Sequence, residues 1–204
     1  MFMEPIKILQ RVIDLMTSPQ NTWYHIQEER EEGRNLILNY SAVLAAVYTL
    51  CGLLGKMIFR TDFALNFCFS LLALGVMVGA LFLLGVLSNL LAPSFGTIRN
   101  EESAFRLIAY GSTGIFVVGI LTVIPELYWP ALAGGFGYSA FLFFGGCQVV
   151  MGTPREKAWP YTLTVMVSWL LIVYVALWVV DQVMTLVFVT NNPNIIPLKF
   201  PRVP

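Results

Sequence analysis

FALNFCFSLLALGVMVGALFLLGVLSNLL, residues 63–91, contains no Asp, Glu, Lys, Arg or His. As a helix rising ~1.5 Å per residue it is about 43 Å long, more than enough to cross a ~30 Å hydrocarbon core. Its length also allows it to tilt or to project beyond the bilayer. Working outward, similar runs recur on both sides. One covers residues 36–55 before it, and three follow at 104–124, 131–151 and 161–189. Between them stand short polar stretches: Lys56, Arg60 and Asp62; Pro93 to Glu102; Pro125 to Pro130; Gly152 to Lys157. This pattern predicts an all-α membrane protein, a bundle of five transmembrane helices preceded by one or two short amphipathic interfacial helices.

Composition agrees. Hydrophobic residues make up 57% of the 204 and charged residues only 12%, about half the share an ordinary soluble chain uses to cover its surface. Twelve basic and twelve acidic residues give zero formal charge, so no nucleic-acid partner is implied. Cys51, Cys68 and Cys147 all fall in apolar runs without a CxxC pair and read as small core residues. The first 35 residues hold no uninterrupted apolar region of the signal-peptide kind, so the first span is expected to act as the insertion signal.

Three regions follow: an N-terminal segment 1–35, a five-helix domain 36–190, and an extended tail 191–204 with four prolines. In the N-terminal segment, Ile6, Leu9, Ile13 and Met16, with Ile8, Val12 and Leu15, form a wide apolar arc. Lys7, Gln10, Arg11 and Asp14 lie opposite. The helix is too short to span. It suits the membrane surface or, alternatively, packing on the protein's own bundle. Ser18-Pro19 reads as a helix start, Trp23 and Tyr24 as interfacial aromatics, and Gly33 as a stop. His25 is the single histidine, and no metal or cofactor site is expected around it.

Lys/Arg placement sets the expected orientation. Lys7, Arg11, Arg30, Arg34, Arg99, Arg106, Arg155 and Lys157 share one side of a five-span frame, against Lys56, Arg60, Lys199 and Arg202 on the other. The N-terminus is therefore expected in the cytoplasm and the C-terminus outside.

Small residues spaced four apart, Gly75 and Gly79, Ala133 and Gly137, Gly135 and Ser139, allow helix backbones to approach closely. They favour packing within the chain, with self-association the alternative. Asp181 is the ionisable residue well inside a span, placed near the far interface, with either a structural or a binding role. Gln148, Asn66, Asn89 and Tyr110 are candidates for a polar patch between helices. Nucleophile, metal and nucleotide motifs are absent, so no enzyme is expected. Expected partners are membrane lipids and another membrane protein or a second copy.

The order of several short pieces resembles bacterial members of the Yip domain family of integral membrane proteins (the Ypt/Rab-interacting type). Pro19, Trp23, Ile26 and Glu29 follow a P-x-x-x-W-x-x-I-x-x-E pattern. Leu91 to Gly96, including Pro93, with Ala104, Ala109 and Tyr110, is similar to a family loop and third span. Ile124-Pro125 and Met151 to Ala158, including Pro154 and Lys157, are similar to two later turns. Gly114 and Cys147-Gln148 depart from the family pattern. The resemblance implies a five-helix bundle in a bacterial inner membrane. Eukaryotic relatives bind Rab-type GTPases, a role that does not carry over because the D-L-x-G-P motif is missing. Three readings remain: a scaffold or adaptor for another membrane protein or for membrane organisation, a lipid-binding or lipid-moving protein, and a small transporter or channel.

Overall fold

The computed structural model describes residues 4–29, 32–59 and 63–184. Among them every regular element is helical. The charges Arg30 and Glu31, the turn at Arg60 and Asp62, residues 185–189 of the last span and the tail 191–204 lie outside the described residues.

Two short helices open the chain, α1 (Pro5–Thr17) and α2 (Pro19–Glu28). Pro19 takes the first helical position, where a missing N–H costs nothing. The Ser18 side chain does not cap α2, and the Ser18 carbonyl instead accepts from the Thr22 N–H at 3.1 Å. A third, α3 (Gly33–Leu36), runs through a wide π turn (Ile37–Ser41) into α4 (Ala42–Phe59). Gly33 therefore starts a helix rather than stopping one. It is a glycine because its backbone lies against α6, where an added Cβ would meet the Glu102 carbonyl at 2.5 Å.

The long helix α5 (Phe63–Leu91) has the bounds its sequence predicts and ends in a 3-10 turn (Ala92–Phe95). Gly96 reverses the chain there with φ 76°, a conformation that favours glycine. The next expected span is interrupted. It forms α6 (Glu101–Gly111), a turn at Ser112, α7 (Thr113–Gly119) and a 3-10 turn (Ile120–Val123). A second 3-10 turn (Pro125–Leu127) leads into α8 (Tyr128–Val149). The last helix, α9 (Arg155–Met184), begins six residues earlier than the apolar run suggests, taking Arg155, Glu156 and Lys157 into its first turn.

Among the described residues, four helical stretches are long and apolar enough to cross a membrane: Gly33–Gly55, Asn66–Phe95, Glu101–Val123 and Arg155–Val183. The broken stretch 101–123 is the most enclosed of them, with two thirds of its apolar window buried. Leu107, Ile108, Ala109, Tyr110, Phe116, Leu142 and Phe143 are all but inaccessible and form the centre of the core. Outward-facing Leu71, Leu83, Leu90, Leu163, Leu171 and Val179 are exposed instead, a pattern suited to lipid rather than water. Some small polar groups inside are paired between helices. Ser88 Oγ and Tyr161 Oη lie 2.5 Å apart, and Tyr161 also donates to the Ser88 carbonyl at 3.0 Å.

Candidate functional site

The motif residues of α2 point inward. Trp23 and Ile26 are buried, and Glu29, just past the helix, pairs with Arg11 of α1. The Trp23 ring enters a notch made by Gly145 and Gly146 of α8. A Cβ on Gly146 would lie 2.6 Å from Trp23 Cζ2 and 2.7 Å from Leu107 Cδ1, so a larger residue closes the notch. On its other side Trp23 meets Tyr110 edge-on, with ring centroids 6.5 Å apart. Tyr110 in turn packs on Tyr40 at 4.9 Å. The Arg11 guanidinium sits over the Tyr110 ring, 5.4 Å from its centre. Burial opposes the Arg11 charge, and Tyr110 and Glu29 more than offset it, holding its pKa above the usual value.

Beneath this cluster two irregular backbone segments face each other. The π turn presents Tyr40 and Ser41 to the break between α6 and α7. Tyr40 Oη lies 2.8 Å from Thr113 Oγ1, and Ser41 Oγ donates to the Ala109 carbonyl at 3.1 Å. Ser112 Oγ reaches the same carbonyl at 2.9 Å, and Thr113 Oγ1 donates to the Tyr110 carbonyl at 2.7 Å. Hydroxyls thus occupy the acceptors that the interrupted helix leaves open. Restarting at Thr113 also exposes the first N–H groups of α7, and Ser139 Oγ of α8 accepts from Ile115 N–H at 2.9 Å.

The end of α1 is tied to the same bundle. Tyr138 Oη on α8 lies within 3.0 and 3.1 Å of the Leu15 and Met16 carbonyls. One edge of the α1 arc, Ile8 and Leu15, is buried. The other edge is not: Ile6, Leu9 and Ile13 are 69%, 61% and 50% exposed. Helical periodicity places Arg11 with the polar residues, yet it is the polar side chain of α1 that turns into the cluster.

The later motif pieces meet on one surface. Thr97 Oγ1 donates to Thr153 Oγ1 at 2.9 Å, joining the loop after Gly96 to the loop before Pro154. Pro93 and Pro154 are exposed, and Lys157 is exposed beside Gly96. Pro125 opens a 3-10 turn, and its side chain is outside the described ones. Gln148 donates to the Phe144 carbonyl of its own helix at 2.8 Å. Asn66 and Asn89 stand at opposite ends of α5, about 34 Å apart along the helix, so the four polar candidates do not gather into one patch. Asp181 is half-buried near the end of α9.

An all-helical bundle with lipid-type outer surfaces and an aromatic-locked N-terminal hairpin defines a class, that of helical integral membrane proteins. Within that class the assignment is specific: the Yip1 domain model matches residues 13–180, and the chain belongs to that family. The match takes in the Trp23 motif, both joined loops and most of α9. No curated protein and no solved structure matches the chain.

Proposed function

We propose that this chain is a non-enzymatic, multi-pass membrane scaffold whose N-terminal hairpin is its contact element for a neighbouring membrane protein. The observation that carries the reading is the divided apolar arc of α1. Ile8 and Leu15 fix the helix to the bundle, while Ile6, Leu9 and Ile13 remain outside on a helix that cannot reorient freely. An exposed apolar edge of this kind marks a surface that meets another protein or lipid.

In this reading α8 is the fifth span. Trp129 and Gln148 bracket about 28 Å of it, close to the ~30 Å core. Its glycines and tyrosines lower its hydropathy without shortening it. On α9 the exposed Trp159 and Trp178 are spaced by the same amount and suit the two interfaces. Asp181 then falls in the far headgroup layer, one turn past Trp178. The cationic side, with α1 and α2, faces the cytoplasm of a bacterial inner membrane.

The test is a photo-crosslinking residue at Leu9, with one at buried Ile8 as reference, activated in native membranes. A protein adduct of reproducible mass at Leu9 and not at Ile8 is expected. Lipid adducts alone would replace the adaptor reading with lipid binding, and identical products at both positions would overturn the contact role.

A further inference from the structure

The surface that joins the two loops carries a charge arrangement not yet given a role. Thr97 and Thr153 are both buried and bonded to each other, so the residues flanking them are held in fixed relation. Arg99 stands two positions after Thr97, and Arg155 two after Thr153; both are exposed. Lys157 reaches across toward Gly96, with Nζ 3.5 Å from where a Cβ there would lie.

Two of the nearby carboxylates are engaged elsewhere. Glu101 pairs with Arg34, and Glu102 accepts from the Gly33 N–H. Glu156 lies between Arg155 and Lys157 in sequence, which leaves a cationic excess. Height along α9 identifies what this excess faces. Lys157 and Arg155 lie about 3 and 6 Å beyond Trp159 along the helix axis, in the few-ångström layer that lipid headgroups occupy outside the hydrocarbon core. Next to Arg99 in the chain, Ile98 is 88% exposed, an apolar side chain beside a cation. That combination fits the boundary between phosphate and acyl chain better than open water.

We propose that Arg99, Arg155 and Lys157 form a site for the phosphodiester headgroup of an anionic phospholipid, with Ile98 against its acyl end. The site rests on the reading that α9 crosses the bilayer with Trp159 at one interface. Incorporation of the chain into lipid discs tests that reading separately.

The experiment uses the full chain in phosphatidylcholine discs with phosphatidylglycerol as the minor lipid. It measures the relative association of spin-labelled phosphatidylglycerol against spin-labelled phosphatidylcholine. Each of Arg99→Gln, Arg155→Gln and Lys157→Gln is expected to lower that preference about fivefold, the effect of one surface cation, and the triple variant to abolish it. Lys7→Gln, at an exposed cation of α1, is expected to leave it unchanged. A triple variant that retains the preference, or an equal loss from Lys7→Gln, would overturn the site. Displacement of the lipid by soluble glycerol phosphate would reassign it to a free anion. Failure of the wild-type chain to enter discs, while it elutes from detergent as a single folded species, would remove the spanning reading and the site with it.

Discussion

Gly75 and Gly79 on α5, and Gly135 and Ser139 on α8, share one spacing, and the molecule treats them differently. On α8 the small residues are a backbone contact. A Cβ at Gly135 would lie 3.0 Å from the Ile115 Cα, and one at Gly114 would lie 2.7 Å from the Ser139 nitrogen. On α5 a Cβ at either glycine would meet nothing within 4 Å. Gly137, in the motif that overlaps on α8, is equally open. Spacing alone therefore permits close approach without requiring it. What decides the matter is a polar need on the facing helix. The restarted α7 has an N–H to satisfy, and Ser139 supplies the acceptor. The α5 pair faces no such demand among the described residues.

The largest effect that would break this comparison is at Gly114. Gly114→Leu forces a side chain into the α8 backbone and should cost about 3 kcal/mol or more. It would be read as a loss of folded protein in detergent unfolding; a near-neutral result would mean the α7–α8 approach is not needed. Ser139→Ala sharpens the argument, because it keeps the small size and removes the acceptor. Leaving the Ile115 N–H unpaired should cost about 2 kcal/mol in the same measurement. Replacing Gly75 and Gly79 together by Ala should cause the smallest loss, none, with a gain of up to about 2 kcal/mol through helix propensity. A clear loss there, with a changed oligomer size on elution, would show that a second helix occupies that face.

Much of this frame is legible in the sequence. Residues 63–91 read directly as α5 because nothing polar interrupts the run and the Pro93–Gly96 turn ends it. Gly114 and Gly119 permit a bend in this span, but no proline marks its place, so the break at Ser112 is not legible as such. It is stabilised by Tyr40 and Ser41, some seventy positions away, meeting Thr113 and Ala109. Gly33 reads as a stop because a glycine after a polar run usually is one. Its role depends on α6, which local pattern does not reveal. Arg11 likewise joins Glu29 and Tyr110 only once three helices are assembled. The Trp23 motif is visible as a pattern, but its notch at Gly146 is not.

The bond from Tyr138 to the last carbonyls of α1 spans 122 residues of chain in the case of Met16. At a synthesis rate of ~5–20 residues per second, α1 waits about 6–24 s on the ribosome's timescale before its partner exists. Through that interval the α8 side of its seat is missing, while α2, the next helix in sequence, already lies against α1 in the finished fold. The seat of α1 is therefore completed only when Tyr138 of α8 arrives to hold its last carbonyls.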